Sequence, residues 1–347
     1  MTVVVAILGL LLLVVIHELG HMLTAKALGV RVTEFGVGFG PALFKRRFGK
    51  TIYSFRIILL GGFAKMAGMN DDSTGPDTYP AKAPWRRALI IFAGPLANIL
   101  AAVAILAGIY VFSGVVTGGT TEVRAVEPGT LAAKSGIENG DKLVSIDGRE
   151  INTWNGFKDA VVKKRPGDEI SVGVLRDGNP KEFSGKLSAA PDEPKRAIVG
   201  VQPEVVREYY GPVEAVGKAA SECVRFSGAI ISGVAQLITG ELDLYDNVTG
   251  PVGIASVGGT AVQQGFFPIL LALISLNLAL FNLLPILPLD GGHLFFIAAE
   301  KVIGRPVSPE TMGKVAAFGV ALVLMLFAFA MYADLSKLFM GQPFIPQ

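Results

Sequence analysis

Apolar residues run almost unbroken from Val3 to Ala25, Ala88 to Val116, Phe266 to Leu289 and Val315 to Ala333. A bilayer core of about 30 Å takes about 20 mostly apolar helical residues, so these runs predict about four transmembrane helices. Between the first two, Val30–Phe35 and Thr51–Leu59 are strand-like and are broken by Gly36, Gly38, Gly40, Gly49, Gly61 and Gly62, which predicts a β-hairpin loop over residues 30–66. From Thr121 to Gln202 apolar positions alternate around short helical stretches, with turn pairs at Pro128-Gly129, Asn139-Gly140 and Asp147-Gly148. That is the pattern of a small α+β domain. Glu214–Gly240 is helical again, but Glu214, Lys218, Glu222 and Arg225 fall within roughly an 80° arc. The uncharged remainder from Phe226 is too short to span, so this helix is expected to lie on the membrane surface.

The fold class that emerges is a polytopic α-helical membrane protein with one inserted α+β domain. Its parts are residues 1–116, 121–202, an interfacial helix at 213–241, and 261–347. The loop after the first span carries Lys26, Arg31, Lys45, Arg46, Arg47, Lys50, Arg56, Lys65, Lys82, Arg86 and Arg87 against Glu34, Asp71, Asp72 and Asp77. The positive-inside rule sets it in the cytoplasm, with the N-terminus and the inserted domain outside. At 51% hydrophobic and 17% charged residues with a net charge of +2, the chain gives no argument for a nucleic-acid partner. One cysteine, Cys223, excludes an intramolecular disulfide and a Cys-rich zinc site.

The unusual stretch is "VVIHELGHML", Val14 to Leu23, at the end of the first span. Ionisable groups at membrane depth cost at least a few kcal/mol, about 2.5–3.5 on insertion scales for Arg, Lys or Asp, and mark function. His17 and His21 are four residues apart on one helix face and can share an ion, with Glu18 beside them as a general base. A hydrolytic zinc site needs a third protein ligand and an open position for water. Only "LPLDGGH", Leu287 to His293, offers one, as Asp290 or His293. A carboxylate at that depth needs a cation, whereas an imidazole can stay neutral, which favours Asp290. With Glu214–Gly240 kept outside, the third span runs inward and the two motifs meet. His17 precedes Lys26 by nine residues and Asp290 precedes Lys301 by eleven, about 14 and 17 Å of helix.

With "HELGH" in the first span, "GPLAN" (Gly94 to Asn98) in the second and "NLLPILPLDGGH" (Asn282 to His293) in the third, the chain resembles the site-2 protease family of intramembrane zinc metalloproteases, specifically its bacterial RseP-type branch. The resemblance implies one zinc ion per chain on His17, His21 and Asp290, Glu18 as catalytic base, and Asn282 as a contact to substrate backbone. Asn98 reads as a helix-packing polar residue. It further implies that the 30–66 loop is a membrane re-entrant hairpin whose edge strand holds unwound substrate by strand addition. The inserted domain resembles a single PDZ domain, which binds extended peptide or acts by its bulk. Substrates implied are single-pass membrane proteins in the bilayer, among them anti-sigma factors already cut once and remnant signal peptides. The setting implied is the bacterial inner membrane, with the active site near the cytoplasmic side. Oligomeric state is not set by the sequence. A PDZ scaffold with a vestigial metal site would release no fragments, and a metal transporter would need further intramembrane acids or histidines that the spans lack.

Overall fold

The computed structural model describes residues 2–344 apart from Asn70, Pro191, Asp192, Pro306 and Pro343. The chain opens with helix α1 (Thr2–Ala27), two long bent strands β1 (Val32–Phe48) and β2 (Thr51–Met66), and helix α2 (Pro84–Gly108), which continues into a π-helical turn at Ile109–Ser113. Small residues let α1 and α2 touch. A Cβ on Gly20 would run into the carbonyl of Ala93 and stand 2.9 Å from the methyl of Ala97, the kind of close approach that lipid-embedded helices use in place of a hydrophobic driving force. Beside this crossing, Met22, Ala25, Val32, Phe35, Met66 and Ile90 form an apolar core that ties the strands to both helices.

Each bent strand serves twice. Glu34 to Val37 face Lys65 to Gly62 on one side and Ile52 to Phe55 on the other, while Ile52 to Phe55 also carry Arg47 to Phe44. The expected hairpin is thus four rungs deep, in the order 44–47, 52–55, 34–37, 62–65. Buried Glu34 ties three of the rungs: Arg56 Nη2 lies 2.6 Å and Lys65 Nζ 3.3 Å from its carboxylate, and Ser54 Oγ donates to it at 2.8 Å.

A separate compact unit spans Tyr110–Tyr210. It contains β3 (Val115–Val126), α3 (Leu131–Ser135), β4 (Lys142–Ile146), β5 (Arg149–Glu150), α4 (Trp154–Val162), β6 (Glu169–Arg176), β7 (Asn179–Lys186), β8 (Ser188–Ala189), β9 (Ala197–Ile198) and β10 (Val201–Glu208). The main sheet runs β10-β3-β4-β6-β7, over a core that includes Val123, Leu143, Phe157, Val172, Val174 and Val199. The β3–β10 ladder continues to Val115 and Glu208, beyond the 121–202 limits expected from the sequence.

Asp141 is fully buried in this unit and accepts from Arg176 Nε at 2.7 Å and Nη2 at 2.8 Å. The Arg176 hydrogen bonds hold its carboxyl below the usual carboxylate range. A depressed folded value stabilises the fold above the unfolded pKa of about 3.9, and the contribution is lost as pH falls through the lower folded value. Thermal melts of a 110–210 fragment should therefore be flat near neutrality and fall below about pH 4. Asp141→Asn should melt lower at pH 7 and show a shallower acid limb; an unchanged limb would contradict this assignment.

The chain then gives α5 (Pro212–Thr239), α6 (Leu244–Asn247), α7 (Pro251–Gln264), α8 (Phe267–Asn282), α9 (Asp290–Ile303) and α10 (Pro309–Met340). Helix α5 buries only Ala215, Ala219 and Cys223 among its described residues. Among the described residues, three helices are long and apolar enough to cross a membrane, Val4–Ala27, Pro84–Ser113 and Glu310–Met340, with Phe267–Asn282 shorter at 16 residues. The run Phe266–Leu289 is thus not one continuous helix. Pro285 and Pro288 lack donors and disfavour helix before them, so α8 stops at Asn282 and α9 starts afresh at Asp290. Helix α7 has no cap of its own. Its N-terminus is served by the buried carboxylate of Asp334 on α10, which accepts from the amides of Gly250 at 2.9 Å and Gly253 at 2.8 Å.

Candidate metal centre and active site

His17 and His21 project from α1 one turn apart, and Asp290 enters from the first turn of α9. The Nε2 atoms of the two histidines are 3.2 Å apart, and Asp290 Oδ2 lies 3.0 Å from His17 Nε2 and 3.4 Å from His21 Nε2. Around a tetrahedral zinc with bonds of about 2.0–2.2 Å, ligand atoms stand about 3.3–3.6 Å apart. The triangle is close to that size.

Protonation makes the case stronger. His21 Nδ1–H donates to the carbonyl of Ile90 at 2.9 Å, which leaves Nε2 a bare acceptor. His17 Nδ1 lies 3.3 Å from the Asn98 amide, and Asn98 Oδ1 is buried with no other partner. With the amide turned so that Oδ1 faces His17, it accepts from Nδ1–H and His17 Nε2 is bare as well. Asp290 Oδ2 is likewise buried without a well-formed hydrogen bond. Three acceptors then converge on one point, an arrangement that repels itself unless a cation sits among them. The donor set, two imidazoles and a carboxylate, suits zinc.

Two glycines make room. A Cβ on Gly94 of α2 would strike His21 Nε2 and lie 2.8 Å from His17 Nε2. A Cβ on Gly62 would lie 3.2 Å from Glu18 Cγ, so a side chain there would crowd Glu18 where the inner rung of the sheet passes α1. On that rung Ala64 lines the same cavity as Glu18. Glu18, the two histidines, Asp290, Asn282 and His293 all line one cavity of about 280 Å³. His293 is not part of the ligand triangle.

Residues 5–326 match the model of peptidase family M50. The chain belongs to peptidase family M50. Among its relatives, a protein of Rhizobium meliloti that carries a zinc metalloprotease name is 35% identical over 360 residues and covers 95% of each chain. Zinc metalloprotease RasP of Shouchella clausii is 29% identical, over 94% of this chain and 97% of its own. A Mesorhizobium japonicum protein with a zinc metalloprotease name is 35% identical, over 94% and 96%. The solved PDZ domain of a Listeria monocytogenes protein is 22% identical and covers 26% of this chain and 92% of its own. Its TM-score of 0.22 carries no weight, and the description of the 110–210 unit rests on its own strand order. The likeness to the site-2 protease type drawn from the motifs is borne out, as is a metalloprotease as the class of enzyme. This M50 protein is a multi-pass membrane protein.

Asn98 and Gly94 are the residues that motif reading undervalued. Asn98 packs the helices, since its carbonyl accepts from Ser275 Oγ at 2.8 Å, yet its amide also faces His17. The spacing held a signal: Gly94 and Asn98 are four residues apart on α2, on the face that meets HELGH.

Proposed function

We propose that this chain is a zinc-dependent intramembrane endopeptidase that cuts within the transmembrane segments of single-pass membrane proteins. The observation that carries the reading is the convergence of His17 Nε2, His21 Nε2 and Asp290 Oδ2 beside the Glu18 carboxylate, in one cavity, in a chain of peptidase family M50. His17, His21 and Asp290 would hold one zinc ion, and Glu18 would be the base. When bound, zinc supplies a Lewis acid that polarises the scissile carbonyl and lowers the pKa of water to about 7.

The chain's own residues supply the rest. Glu18 takes the proton of the attacking water and later delivers it to the leaving amine. Asn98 and the Ile90 carbonyl keep the two imidazoles turned with Nε2 inward. A peptide bond within a helix has its carbonyl already engaged, so substrate must unwind before it is cut. The 62–65 rung, at the edge of the sheet beside Glu18, offers backbone groups to an extended segment by strand addition. Asn282, where α8 ends, holds substrate backbone. Four crossings, with Phe267–Asn282 as the short third one, put the metal centre toward the cytoplasm and the 110–210 unit outside. In a bacterial inner membrane, fitting substrates are membrane-bound anti-sigma factors after a first cleavage and remnant signal peptides.

The test compares Asp290→Asn with His293→Ala in purified protein. Asp290→Asn should lose zinc and cleavage of a single-pass substrate together. His293→Ala should keep nearly full zinc occupancy. If His293→Ala alone empties the site, the third ligand is a histidine and the assignment of Asp290 is wrong.

A further inference from the structure

The four-rung sheet has a second edge, and its depth can be read from α1. The four rungs share rows, one of which is Ala64, Phe35, Tyr53 and Arg46. Ala64 lines the same cavity as Glu18, whereas Tyr53 Oη accepts from Lys26 Nζ at 3.0 Å. Glu18 and Lys26 are eight residues apart, about 12 Å along the helix. Ala64 and Tyr53 are two rungs apart, about 10 Å. The rungs therefore stack along α1, from catalytic depth outward to the level where α1 leaves the membrane. The 44–47 rung lies one step further, about 5 Å beyond Tyr53.

That outermost rung and its turn read "LFKRRFGK", Leu43 to Lys50, and every one of these residues is exposed. Leu43 is 64%, Phe44 60% and Phe48 79% exposed, interleaved with Lys45, Arg46, Arg47 and Lys50. No Asp or Glu occurs from Phe35 through Asn70. Charges alone on an edge strand would be ordinary protection against pairing with another chain. Three large apolar side chains exposed among the cations go beyond what edge protection requires. Aromatic rings on both sides of a run of cations, and no acid, fit the boundary of a negatively charged leaflet.

We propose that the edge Leu43–Lys50 is a docking site for anionic phospholipid headgroups. Its four cations meet the headgroup phosphates while Phe44 and Phe48 enter the acyl boundary. Because the 44–47 rung pairs with 52–55, which Glu34 ties to the two inner rungs, the same contact holds the innermost rung at its level beside Glu18. The inference rests on the membrane orientation proposed above for α1.

The experiment uses the full chain in nanodiscs whose phosphatidylcholine has brominated acyl chains, with or without phosphatidylglycerol. Phe48→Trp is introduced with Trp85→Phe and Trp154→Phe, so that the only indole reports on the edge. Phosphatidylglycerol should raise bromine quenching at least about twofold. Near 1 M salt, where screening acts within about 3 Å, the increase should vanish. Replacing Lys45, Arg46, Arg47 or Lys50 by Gln should weaken the docking equilibrium about fivefold per residue. Equal quenching with and without phosphatidylglycerol, or a full response in the fourfold Gln protein, would overturn the proposal. Zinc content and the activity of Glu18→Gln, measured on the same preparations, separate this failure from a failure of the protease reading.

Discussion

Gly94→Ala is expected to empty the metal centre. The added methyl would strike His21 Nε2 and stand 2.8 Å from His17 Nε2, in the space that the two nitrogens and Asp290 Oδ2 face. The histidines cannot simply turn aside, because His21 is tied to the Ile90 carbonyl at 2.9 Å and His17 faces the Asn98 amide at 3.3 Å. Losing an outer hydrogen bond to a metal ligand costs about 10–100-fold in affinity. A methyl within the ligand triangle should cost more than about a hundredfold, the upper end of that range, and proteolysis should fall with it. Gly108→Ala in the same helix meets nothing within 4 Å and should bind zinc like the wild type, which separates a local effect from a loss of folding. Zinc per chain, measured by competition with a chromophoric chelator, checks both. A Gly94→Ala protein that binds zinc with unchanged affinity would mean that the triangle is not the site.

Glu18→Gln is expected to separate binding from chemistry. The substitution keeps the size and polarity of the side chain but removes its capacity to take a proton. Because Glu18 is not one of the three converging ligands, zinc occupancy should stay at the wild-type level. Positioned general acid–base catalysis contributes about 10²–10⁴-fold, and kcat should drop by that order. Substrate should still bind to the 62–65 edge, so KM should change little. Parallel loss of zinc in this variant would make Glu18 a ligand in place of a base.

How far the sequence led is clearest at the site. HELGH on an apolar run and LDGGH at matched depth were legible because charge in lipid needs a reason, and that narrowed the third ligand to Asp290 or His293. The break between α8 and α9, which puts Asp290 in a helix's first turn, was written in Pro285 and Pro288 but hidden by the unbroken hydropathy from Phe266 to Leu289. Gly94 and Asn98 were harder to read. Their roles come from the packing of α2 against α1, and nothing local distinguishes a glycine that makes room for a metal from one that merely lets helices touch.

The sheet was legible as strands and glycines and not as four rungs. Each half of β1 and β2 finds different partners, and such long-range register depends on where the chain bends. Helix α7 went unread because its N-terminal cap is Asp334, more than eighty residues away. A cap that distant leaves no local signature. In the 110–210 unit the alternation of β6 shows as Ile170, Val172 and Val174 turned inside, as strands with one buried face do.

The most direct test of the central claim is mass spectrometry of the products formed when the purified protein, in nanodiscs, meets a single-pass substrate. The account predicts cuts inside the substrate's transmembrane segment, lost on chelation and restored by zinc. Cuts confined to residues outside that segment, or cleavage indifferent to chelation, would contradict it.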